Sequence, residues 1–118
     1  MYPVARYSFL TRQWEADIRR QQDPAELQAW AHDLLAAHGN PDSIRIVTNN
    51  PPSGIPRSPY GPRVALMNGA SSGGSEDYVQ LGWGGGHLHL WGMKIGDTNF
   101  VCGALNRWKP GICFFGSP

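Results

Sequence analysis

The chain reads as an α+β protein in which two N-terminal helices pack on a mainly antiparallel sheet of four to five strands, arranged as a β-meander. Three observations predict this class. Apolar residues recur at helical spacing before residue 39, short β-rich runs dominate from residue 63 onward, and those runs are divided by Gly, Asn, Asp, Ser and Pro clusters rather than by crossover helices. The 118 residues suffice for one domain, 1–118, with a single hydrophobic core.

The first helix is short. Leu10, Trp14 and Ile18 recur every four residues among Arg12, Gln13, Glu15, Asp17 and Arg19, which predicts an amphipathic helix over 12–20. The second carries a full start signal, with Asp23 as N-cap, Pro24 at the first helical position and Glu26 placed to reach back. Leu27, Trp30, Ala31, Leu34 and Leu35 then form one apolar stripe, and Gly39 suits the residue that ends a helix, so the predicted span is 24–38. His32 and His38 fall on this helix, where His38 reads as a favourable contact with the C-terminal dipole rather than as a ligand.

A strand follows over 44–48. Residues 49–62 hold five prolines and two glycines, which excludes ladder pairing and predicts a long loop. Pro56 and Pro59 form a P-x-x-P that another domain could read as polyproline II, but an ordered lid or edge cover is the expected role. Further strands are expected at 64–67, 77–83, 87–95, 100–105 and 112–115.

Residues 78–92 read as a hairpin around Gly84, Gly85 and Gly86. A two-residue turn at Gly85 and Gly86 pairs Gly84 with His87, Trp83 with Leu88, Gly82 with His89, Leu81 with Leu90 and Gln80 with Trp91. Val79, Leu81, Trp83, Leu88 and Leu90 then share the helix-covered face, while Gln80, His87, His89 and Trp91 share the other. A three-residue turn over 84–86 would instead turn the imidazoles toward the core, because a one-residue slip exchanges the faces. The first register separates polar from apolar positions better and is the one expected. Continuing the meander places Cys102 opposite Met93 and Cys113 opposite Cys102. Something must then cover the partly apolar histidine face, the proline loop, the first helix or a second subunit being candidates.

Ten Lys and Arg against nine Asp and Glu leave a formal charge of +1, and Arg19–Arg20 is the only adjacent basic pair. No field steers a polyanion, so nucleic acid is not an expected partner. No apolar run approaches the ~20 residues that cross a bilayer, and the first ten residues do not read as a secretory signal. The expectation is a cytoplasmic protein without membrane contact. In that setting Cys102 and Cys113 are expected as reduced, buried thiols, although their opposition would also allow a disulfide.

Chemical candidates are few. His87 and His89 project the same way from a strand and would hold a metal if a third ligand converged, with Asp77, Glu76 or Asp97 available. Two ligands do not make a site, and a Cys₂His₂ zinc centre is disfavoured by strand spacing. Residues 69–73 match G-x-S-x-G around Ser71, but the segment leads into a strand where a nucleophile elbow needs a helix. Trp91, with Gln80 and the imidazoles beside it, is suited to a sugar or another flat ligand. Trp108 is expected at a turn tip, and Trp14, Trp30 and Trp83 in the core.

The functional expectation is a small binding or protein-interaction module that uses His87, His89, Trp91 and Gln80, without a cofactor, with a like subunit or another protein as partner. The alternative is a small metal-binding or histidine-dependent hydrolase using His87 and His89, with Asp77 as third ligand. Whether the chain is an enzyme is left open, and two satisfied imidazoles without chemistry remain the bland expectation.

Overall fold

The computed structural model describes residues 13–38, 45–56, 61–68, 77–84, 90–97, 100 and 106–116. Helix α1 covers 13–21, and α2 covers Pro24–His38. The strands are β1 (Arg45–Val47), β2 (Arg63–Met67), β3 (Tyr78–Gly84), β4 (Leu90–Ile95), β5 (Asn106–Lys109) and β6 (Ile112–Gly116). They form one sheet in the order β1-β2-β3-β4-β6-β5, with every neighbouring pair antiparallel. The α+β class is as expected, with six strands rather than four or five.

The start of α2 follows its sequence signal. The Asp23 carboxylate accepts the Ala25 N–H at 2.9 Å, which satisfies one of the helix's free donors. Glu26 does not close a capping box on the backbone; its carboxylate accepts the Gln22 side-chain amide at 3.1 Å. An Asp23→Ala variant is expected to lose about 1 kcal/mol of stability, read as a lower urea midpoint with an unchanged slope.

One sheet face holds the main core. Val64, Leu66, Val79, Leu81, Trp83, Met93, Ile95, Ile112 and Phe114 are buried there beneath Ile18 of α1 and Leu27, Ala31 and Leu34 of α2. The proline-rich segment joins this core through Ile55, which is 2% exposed, and Pro51 is buried beside it in sequence. Its described part, 49–56, packs on the core and contributes no strand. Pro56 is exposed, and Pro59 lies outside the described residues.

The hairpin register differs from expectation. Gly84 pairs with Leu90, Trp83 with Trp91, Gly82 with Gly92, Leu81 with Met93, Gln80 with Lys94 and Val79 with Ile95. Five residues, 85–89, separate the strands instead of two. The expected register would have aimed Lys94 at the core face and moved Met93 and Ile95 off it. The observed one opposes three pairs of large apolar side chains under the helices, and that burial outweighs any preference of the turn.

The meander also breaks. β6, not a strand over 100–105, lies beside β4, pairing Ile95 with Ile112 and Met93 with Phe114. Phe100 lies outside any strand. β5 is a polar edge strand whose Arg107 and Lys109 are exposed, whereas Ile112, Cys113 and Phe114 of β6 are at most 1% exposed. Placing the charged strand at the edge and the apolar one inside satisfies both. Trp108 is accordingly on β5 and not at a turn tip, half-buried, with its ring 5.9 Å from that of Phe114.

The β5–β6 turn consists of Pro110 and Gly111, and Gly111 has φ +84°. The Gln28 amide of α2 donates to the Gly96 and Pro110 carbonyls, both at 2.9 Å, tying the helix to two turns. A Cβ at Gly111 would collide with the Asp97 carbonyl and the Gln28 amide. Gly111→Ala is therefore expected to cost about 2–3 kcal/mol, checked by chemical denaturation.

Candidate functional site

The described part of the site is aromatic and sits at the β3–β4 hairpin end of the core face. Trp83 and Trp91 are directly paired across the strands, and their rings stack 5.3 Å apart at 4°. Trp14 of α1 meets both edge-on, with centroids at 4.5 Å from Trp83 and 4.1 Å from Trp91. Trp83 is buried, while Trp14 and Trp91 are half-buried. Five residues carrying His87 and His89 join these strands, and both histidines lie outside the described residues.

The four expected contact residues do not share one face. Trp91 lies on the helix-covered side with Trp83, whereas Gln80, paired with Ala65 and Lys94, points to the opposite side. That second face carries Ala65, Met67, Tyr78, Lys94, Cys113 and Phe115 by strand alternation. It is covered too, since Ala65, Met67 and Tyr78 are at most 9% exposed and Phe100 packs against them, 4.8 Å from Tyr78 ring to ring. The Lys94 ammonium lies 5.4 Å from the Tyr78 ring and 5.9 Å from that of Phe115, an arrangement that favours a cation over aromatic faces.

Asp77 precedes β3 at the end remote from the hairpin, seven residues from Gly84, or about 23 Å of extended strand. Residue 89 adjoins Leu90, the partner of Gly84. Asp77 therefore stands at the other end of β3 from the pairing of Gly84 with Leu90. Among the described residues no three His, Cys, Asp or Glu side chains converge. Ser71 lies outside the described residues. His32 and Asp97 approach to 3.4 Å on the surface, both about two-thirds exposed.

Cys113 is disulfide-bonded, not the reduced thiol expected. The chain's one other cysteine is Cys102, in the connection from β4 to β5 and itself outside the described residues. Arg107, not a cysteine, pairs with Cys113 in the ladder.

A groove opens next to the aromatic trio. It encloses about 270 Å³ and is lined by Gln13, Trp14, Asp17 and Gln21 of α1 and by Gly54 and Pro56 of the proline-rich segment. Gln13, Asp17 and Gln21 recur every four residues, so one helical face supplies two amides and a carboxylate. Arg20 donates to Asp17 Oδ1 at 2.6 Å. Gly54 permits close approach of the second wall, because a Cβ there would stand 2.6 Å from Gln22 Oε1 and 2.8 Å from the Gln21 carbonyl. Sequence reasoning placed Trp14 in the core and missed this groove. The polar helix face was visible in the sequence, but its opposite wall is supplied more than thirty residues away.

Comparison of the chain with family models, with curated proteins and with solved structures finds no match.

Proposed function

We propose that the chain is a small binding or protein-interaction module rather than a hydrolase, with its contact surface at the hairpin end of the sheet. The observation that carries this reading is the pair of half-buried indoles, Trp14 and Trp91, in edge contact beside a formed groove. Large amphipathic rings left partly accessible at a concave site are the usual anchors of binding surfaces. His87 and His89 lie in sequence between Gly84 and Leu90 and are included in the proposed surface. Gln80 drops out of this surface because it faces the other way.

A balanced charge speaks against nucleic acid as the partner. No helix among the described residues is long and apolar enough to cross a membrane. The disulfide at Cys113 supports an oxidising compartment over the cytoplasm, since thiols in reducing compartments stay free.

The test follows the five tryptophan indole N–H signals by two-dimensional NMR during addition of a panel of neutral small molecules, comprising monosaccharides, amino-acid amides and aromatic fragments. Signals of Trp14 and Trp91 are expected to move with saturation, while that of Trp30 on α2 stays. Silence of Trp14 and Trp91 toward the whole panel, in a protein that is also monomeric at high concentration, overturns the reading. Stoichiometric zinc in the purified protein, lost in His87→Ala and His89→Ala, would replace it with the metal-dependent alternative.

A further inference from the structure

We infer that the groove between α1 and the proline-rich segment is a subsite for one ring of a neutral, hydroxyl-rich ligand, a saccharide or similar polyol. This rests on the binding-module reading and names the ligand class for it. Size is the first argument. About 270 Å³ falls just below the 300–1,000 Å³ typical of drug-sized ligands, which suits a single six-membered ring.

Wall chemistry is the second. A sugar ring presents C–H faces and hydroxyl edges, and the groove has both complements: the Trp14 indole, Pro56 and the Gly54 backbone are apolar surfaces, while Gln13, Asp17 and Gln21 line one polar side. The two amides each donate and accept, and the carboxylate accepts strongly, which together match hydroxyls that do both.

Charge is the third. Among the described lining residues the only ionised group is Asp17, and Arg20 already balances it at 2.6 Å. Phosphates and carboxylates meet no cation among the described lining residues, and a cationic ligand meets a carboxylate already paired, so a neutral polar ligand is the one these residues favour. Gln22 is 3% exposed, and its Oε1 has no hydrogen-bond partner among the described residues. That oxygen sits behind the Gly54 wall, a buried acceptor next to the groove.

The test titrates the full chain with glucose, galactose, N-acetylglucosamine and their β-linked disaccharides, with inorganic phosphate and phenol as comparison probes, reading the Trp14 indole and the Gln13 and Gln21 side-chain amide signals. Saturable shifts with at least one saccharide are expected, and Asp17→Asn and Gln21→Ala are each expected to weaken that binding about three- to tenfold, the loss of a hydrogen bond. Both positions are on the outer face of α1, and circular dichroism verifies that the variants keep the fold. Shifts with phenol or phosphate but with no saccharide up to its solubility limit overturn the polyol assignment while the binding-module reading stands. Absence of any response, from these probes and from the wider panel, overturns both. Saccharide binding that Asp17→Asn and Gln21→Ala leave unchanged places it elsewhere and overturns the groove as the subsite.

Discussion

Reduction of the Cys113 disulfide is expected to lower the stability of the chain by about 3 kcal/mol, the chain-entropy value for a closed loop of roughly ten residues. The thermal midpoint should fall by roughly 10–15 °C. The topology explains why this bond matters. β4 and β5 both lie antiparallel to β6, one on each side of it, so they run parallel to each other. The ten residues between Ile95 and Asn106 therefore connect two strands that β6 separates. Phe100 of that connection packs on Tyr78, and Cys113 is fully buried on the same face.

The bond thus ties the connection that carries Cys102 to β6. Without it, the second face loses a constraint on its cover, and the apolar surface of Ala65, Met67 and Tyr78 is expected to open first. Hydrogen exchange before and after treatment with a reductant checks this, with protection lost in 96–100 ahead of β3. A Cys102→Ala/Cys113→Ala double variant should reproduce the reduced state. An oxidised and a reduced protein with equal melting temperatures would show that packing alone holds the connection.

The second large effect is expected at Gly92. It lies on β4 between β3 and β6, paired with Gly82 on one side and Phe115 on the other. A Cβ there would collide with the Leu81 carbonyl and come within 3.1 Å of the Phe115 ring. Strands on both sides leave the backbone no direction in which to retreat, so Gly92→Val is expected to cost more than about 4 kcal/mol and to abolish cooperative folding. Urea denaturation followed by tryptophan fluorescence measures it. Phe115→Ala, which removes the ring but not the carbonyl, should not restore stability to Gly92→Val. Restoration would mean that the ring, and not the backbone, sets the limit.

Sequence reading was most accurate where one short stretch contains all the forces that act on it. The bounds of α2 come from Asp23, Pro24 and the apolar stripe after them, and its observed span of Pro24–His38 agrees with that reading. Trp14 and Ile18 on α1 point inward as their spacing requires. The irregular course of 49–56 was also legible, because prolines disfavour a ladder, and Ile55 anchors it in the core. The candidate site was less legible. Trp91 was singled out for its place beside the histidines, yet the decisive neighbour proved to be Trp14, from a helix more than seventy residues earlier. Gln80 faces away from the helices as expected, but Trp91 does not join it there: glycines at 84–86 permit several turns, and pairing only the nearest residues ignores Met93, Lys94 and Ile95 further along.

The sequence by itself determined the helices, the β character of the later chain and the apolar stripe that each element buries, since these follow from periodicity and backbone chemistry acting within a few residues. Tertiary structure decided the strand order with β6 inside β5, the hairpin pairing, the disulfide at Cys113 and the groove beside Trp14. Each of those depends on which surfaces meet across long stretches of chain. That choice is made by the total apolar area buried and by keeping charged Arg107 and Lys109 at an edge, quantities that no local stretch contains.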